Sequence, residues 1–183
     1  MSRVFKIDFH THPIEALKIQ FGIQGIRDIK SGAVEAIVKA VKKAGLNGIA
    51  ITERNNFNHS WVAALEILDH FKGENLVILP GEELDYAGQK LLHIYVPDYY
   101  RRRMPFFQDK EWVMILAQPG LVNPLDLDKL ASIKLDAVEG TSLKGDFEQA
   151  ERVALEKSIP VIKASDAVDL ADIGKFYTEL EWK

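Results

Sequence analysis

Residues 4–10 (VFKIDFH) alternate apolar and polar positions with the period of two expected of a half-buried strand. The pattern changes after Ser31, which suits an N-cap. Val34, Ile37, Val38 and Val41 repeat at the spacing of one helical face, predicting a helix over 32–44 that Gly45 stops. No element is predicted between these two. Further on, 48–52 (GIAIT), 76–79, 91–96 (LLHIYV) and 113–117 (VMILA) read as strands, with a second helix over 58–71. A short helix is expected over 125–131 and a short strand over 137–139. A charged amphipathic helix follows over 146–157, then strands over 160–164 (PVIKA) and 176–182 (FYTELEW). This alternation predicts an α/β fold with a parallel sheet, either open or closed into a barrel. No repeat, low-complexity tract or linker interrupts it, so residues 1–183 are expected to form a single domain.

Composition narrows the candidate chemistry. The 183-residue chain is 47% hydrophobic and 27% charged, which suits one sizeable core. No apolar stretch approaches the roughly 20 residues needed to span a bilayer, and the opening residues carry no signal-peptide pattern. With no cysteine, disulfides, thiolate nucleophiles and sulfur-ligated zinc are excluded, and a reducing, cytoplasmic setting is compatible. Any metal must use His, Asp and Glu. A net charge of −4 argues against broad nucleic-acid binding. The single basic run, Arg101-Arg102-Arg103, reads as a solvated loop rather than a phosphate cradle.

Polar residues collect at the predicted strand ends. His10 and His12 end the first strand, Glu53 and Arg54 follow the second, and Glu82 and Glu83 follow the third across Pro80-Gly81. His93 lies within the fourth, Gln118 ends the fifth, Glu139 ends the sixth, and Asp166 follows the seventh. In a parallel α/β sheet such ends share one rim, where sites are built. Grouping so many carboxylates and imidazoles is costly unless a cation compensates them. At i and i+2 on a strand, His10 and His12 point to one face and can converge on an ion, with Asp8 expected on the same face. Glu82 and Glu83 are adjacent, so only one can face the site. Lys163 either adds a cation there or points outward, and His59 and His70 are expected at the surface of the second helix.

In order and spacing, these residues resemble the polymerase and histidinol phosphatase (PHP) domain. Asp8-Phe9-His10-Thr11-His12 resembles its opening D-x-H-x-H, and Gly45–Thr52 resembles the stretch that runs into Asp-His. Pro80-Gly81-Glu82-Glu83 is similar to P-G-x-E, Leu92-His93-Ile94 to the strand carrying a ligand histidine, and Ala117-Gln118-Pro119 to Ala-His-Pro. Ala164-Ser165-Asp166-Ala167-Val168 with Ile173-Gly174 is similar to G-S-D-A-H and its downstream I-G. The resemblance implies a compact, distorted (β/α)7 TIM-like barrel and a phosphoesterase using zinc, manganese or iron.

It also implies ligands residue by residue. His10, His12, Glu83 and Asp166 would form a first metal site, and Glu83, His93 and Gln118 a second, weakened by the amide at Gln118. A third would need histidines where Arg54 and Val168 stand, with Glu15 the nearest acid, and is expected to be lost. Arg54 is a candidate phosphate anchor, with an ion pair to Glu53 or Glu83 as its alternative, and Arg54 and Asp166 are the candidate catalytic residues. Two functions follow: a metal-dependent phosphoesterase acting on a phosphorylated small molecule, or a degenerate domain that binds a metal, a phosphorylated ligand or a partner. A subunit like the ribonuclease P barrel protein is a third, poorly supported by the net charge.

Overall fold

A computed structural model describes residues 3–182. Its strands form one curled sheet. β1 (Arg3–Thr11), β2 (Gly48–Arg54) and β3 (Val77–Tyr86) pair in parallel. β4 (Gln89–Tyr95) runs antiparallel to β3 and to β5 (Trp112–Ala117), and β5 pairs in parallel with β6 (Ala137–Ser142). The two-residue β7 (Gly145–Asp146) folds back on β6, and β8 (Val161–Lys163) pairs with β6 in parallel. β9 (Thr178–Trp182) lies antiparallel along the first half of β1.

The helices cover this sheet unevenly. α1 (Pro13–Phe21) and α2 (Ser31–Lys43) join β1 to β2, and α3 (Phe57–His70) joins β2 to β3. α5 (Gln149–Lys157) leads into β8, whereas β4 and β5 are linked only by the one-turn α4 (Asp98–Arg101) and a 3-10 turn. The expected all-parallel alternation therefore fails at β3–β5. The chain continues through Pro80-Gly81 as strand and reverses at Ala87-Gly88, both at positive φ (51° and 80°). That is the geometry of a tight hairpin turn, and such a turn leaves no room for a crossover helix. Two further expectations change. Residues 125–131 form turns rather than a helix, with Leu130 buried against Leu91 and Leu116, and α1 is an added element.

Side-chain phase builds three buried clusters, of which two bear on the opposite faces of β1–β3. Ile7, Phe9, Ala50, Leu79, Leu92, Ile94, Ile115 and Ile162 fill the inside of the curled sheet. Ile49, Ile51 and Ile78 point the other way, onto Val34, Ile37, Val38 and Val41 of α2 and Ala63 and Ile67 of α3. The helical stripe expected from the sequence is thus the packed face. The sheet's two ends meet just past β8, where Thr11 and Ala167 form a parallel bridge and His12 N–H donates to the Ala167 carbonyl at 2.7 Å.

Asp8 latches this closure. Fully buried, it accepts from the Ser165 hydroxyl, Ser165 N–H (2.9 Å) and Gly174 N–H (3.0 Å). Burial pushes its carboxyl up to about 6 against the pull of these bonds. Gly174 has φ +77°, and a Cβ there would lie 2.7 Å from that of Ala44. Among the described residues, no helix is long and apolar enough to cross a membrane.

Candidate metal centre

The centre begins with an irregularity in β1. Asp8 pairs with Ile49 and Thr11 with Ile51, so three steps on β1 match two on β2. One inserted residue reverses the inward–outward phase of everything after it. Ile7 and Phe9 line the interior before the shift; His10 and His12 do so after it, and Asp8 faces the Ser165 side. The expectation that Asp8 shares the face of the histidines is therefore corrected, whereas the two imidazoles do converge.

His12 is also the N-cap of α1, but its side chain makes no capping bond. Glu53 supplies the cap from β2, accepting Ile14 N–H at 2.7 Å. Its carboxylate lies at the positive end of the helix, and burial pushes it up to about 7. Glu53 thus fixes the chain direction after His12 and takes no part in the cluster.

His10, His12, Glu83 and Asp166 are all buried, and one ligand atom from each lies within 4.8 Å of the others. His10 Nε2 is 2.8 Å from Glu83 Oε2, 3.2 Å from His12 Nε2 and 3.5 Å from Asp166 Oδ1. His12 Nε2 is 3.2 Å from Asp166 Oδ1 and 3.5 Å from Glu83 Oε2. Four ligands about 2.0–2.1 Å from a tetrahedral ion are separated from each other by about 3.3–3.4 Å. The observed separations bracket that value. Asp166 Oδ1 is buried without a hydrogen-bond partner, which a bound cation would resolve. The residues present therefore fit a divalent ion bound by nitrogen and oxygen.

Electrostatics agree. Burial alone would lower the pKa of His10, but Glu139, Glu83 and Asp166 outweigh it and push the imidazole up to about 10. His12 is also raised, burial being overcome by Asp166 and Glu83. Burial opposes ionisation of Glu83 and Asp166, yet the two histidines hold both below the usual carboxylate range. The proton on His10 thus supplies positive charge that a metal would replace.

Glu139 is the residue that the sequence placed at the rim without a role. Fully buried, it accepts from His10 Nδ1 at 3.3 Å and from Gln118 N–H at 3.1 Å. A carboxylate on Nδ1 sets the tautomer that leaves Nε2 free as a ligand, and it orients the ring. Gln118, at φ +47°, donates its side-chain amide to Asp166 Oδ2 at 2.7 Å. It orients Asp166 and stands outside the group of four.

The structure does not bring His93 to this group. Glu83 pairs with Leu92 and Glu82 with His93, so Glu83 and Leu92 face inward and the other two outward. His93 stacks on Trp112 at 4.1 Å between ring centroids, in an aromatic cluster with Tyr95, Trp61 and Phe57. The inner face of β4 presents Lys90 instead. Its ammonium lies 3.2 Å from Glu83 Oε1 and 2.8 Å from Asp85.

Arg54 stands at the mouth, bonded to Glu15 at 2.5 Å and 3.6 and 3.8 Å from Glu83 and Asp166. Lys144 is 3.9 Å from Asp166 Oδ2. Neither lysine was singled out in the sequence, since the pairing of β4 and the return of the chain at β7 place them here. Lys163 is exposed on β8, Val168 is half-exposed, and His59 and His70 lie on α3. Of the arginine run, Arg101 and Arg102 pair with Asp98 and Arg103 lies over the Tyr99 ring.

No protein-family model matches the sequence, and no curated protein matches it significantly. Solved structures do match. One is a two-domain protein from Bacteroides vulgatus containing a predicted PHP-like metal-dependent phosphoesterase (TM-score 0.61, 15% identity). The match covers 92% of this chain and 53% of that one, so the chain spans about half its length. Another is a protein from Bifidobacterium adolescentis assigned, by inference, as a metal-dependent phosphoesterase (TM-score 0.60, 14% identity, covering 94% of this chain and 92% of that one). The chain shares its fold with two proteins predicted to be metal-dependent phosphoesterases, one of them PHP-like, as its motifs led us to expect.

Proposed function

We propose that this protein is a metal-dependent phosphoesterase of the PHP type that works with a reduced metal complement. The observation that carries this reading is the convergence of His10 Nε2, His12 Nε2, Glu83 Oε2 and Asp166 Oδ1 on one buried point. Zinc, manganese and iron all suit two imidazoles and two carboxylates. When bound, such an ion lowers the pKa of a coordinated water and polarises a phosphoryl oxygen.

The chain's own residues do the rest. Glu139 and Gln118 hold His10 and Asp166 in ligating orientation. Arg54, half-exposed above Glu83 and Asp166, takes a phosphate oxygen on exchanging its Glu15 partner, as a guanidinium's several donors allow. The substrate class is then a phosphoester of a small molecule small enough to reach the mouth.

A second reading, a binder without turnover, is favoured by one observation: the shortest contact of Arg54 is to Glu15, not to the cluster. Hydrolysis of a generic phosphoester by metal-loaded protein separates the two. The enzyme reading expects turnover that His10→Ala abolishes. Metal uptake without turnover of several phosphoesters would favour the binder.

A further inference from the structure

The two oxygens of Glu83 face different partners. Oε2 faces His10 and His12, whereas Oε1 faces the Lys90 ammonium at 3.2 Å and Arg54 Nε at 3.6 Å. A second ion at Oε1 would have to approach a position that already faces two cations. The inner face of β4 beyond Lys90 is Leu92 and Ile94, which offer no ligand atom. Asp166 is similarly divided, with Oδ1 in the cluster and Oδ2 accepting from Gln118 with Lys144 3.9 Å away.

Charge balance then becomes decisive. A divalent ion bound by two carboxylates retains little net charge. An incoming anion must therefore find its attraction elsewhere at the mouth. Lys90 is placed to supply it. It is partly exposed (24%), points inward from β4, and is held between Asp85 and Glu83 rather than swinging free. A side chain already fixed by two carboxylates loses little further freedom on binding an anion.

Resting on the metal reading above, we infer that Lys90 is the organic counter-charge of a one-ion site: it blocks a second ion at Glu83 and anchors the anionic group of the ligand beside the first. With Arg54 and Lys144, it makes the mouth selective for compact, multiply charged anions.

The test uses the full chain loaded with zinc or manganese and inorganic phosphate as the probe, with metal content measured by elemental analysis and phosphate affinity by calorimetry. Wild type should hold one ion per chain. Lys90→Gln should keep that ion but bind phosphate about tenfold or more weakly, the loss expected for one charge-assisted hydrogen bond. Lys90→Arg should restore most of the affinity. Two ions per wild-type chain would overturn the inference, as would equal phosphate affinity in Lys90→Gln with its ion retained; the metal reading would survive either result. A Lys90→Gln chain that loses its ion would also overturn it, because Lys90 would then serve the ion pocket itself. A wild type that takes up no ion would overturn both.

Discussion

β1 and β4 both carry histidine, yet only β1 delivers it to the interior. The inserted residue between Asp8 and Thr11 turns His10 and His12 inward. On β4 the undisturbed pairing of Glu82 with His93 and Glu83 with Leu92 turns the imidazole outward onto Trp112. A one-residue change of phase decides whether a histidine joins the buried cluster or becomes a surface ring. The inner face of β1 thus ends in imidazoles, whereas that of β4 ends in an ammonium.

That contrast can be stressed in three ways. The largest effect is pH. His10, raised to about 10 by Glu139, Glu83 and Asp166 against burial, carries a proton below that value, and an ion must displace it. Affinity for zinc should therefore rise with pH, about 100-fold between pH 6 and pH 8 for one displaced proton, levelling as pH approaches the His10 value. Calorimetry in buffers of different ionisation enthalpy would count the proton released; a pH-independent affinity would contradict the assignment.

Next comes the support beneath β1. Glu139→Gln removes the carboxylate on His10 Nδ1 and should weaken metal binding about 10- to 100-fold at alkaline pH, where proton competition is least. An unchanged affinity would leave Glu139 with no part in orienting the ligand.

The smallest effect belongs to β4. His93→Ala should change metal affinity by less than about twofold, because its ring touches Trp112 and Glu82 rather than the cluster. A large loss would mean that the outward phase of β4 is wrong.

Much of this architecture can be read from the chain. The stripe Val34, Ile37, Val38 and Val41 is the buried face of α2, and the adjacency of Glu82 and Glu83 correctly implies that only one faces inward. The four cluster residues are legible from their places at strand ends and their motif spacing. The local pattern is silent where a partner distant in sequence decides. α1 starts at Pro13 behind a histidine that makes no cap bond, and its capping carboxylate, Glu53, arrives from β2, 39 residues on. The hairpin at Ala87-Gly88 lacks an Asn or Asp in its first position, so the reversal that turns His93 outward carries a weak signal. The inserted residue in β1 has no signature either, since Asp8, His10 and His12 share the same spacing whether or not the strand is regular. Lys90 reaches the site only because β4 runs antiparallel.

The central claim is a single ion held by residues from β1 and its junction with α1, from β3 and from the segment after β8. Its most direct test is metal uptake by chelator-stripped protein, measured by elemental analysis after equilibration with zinc or manganese, alongside His10→Ala. The account predicts one tightly held ion per wild-type chain and none in the variant. No uptake by wild type, or equal uptake by the variant, would contradict it.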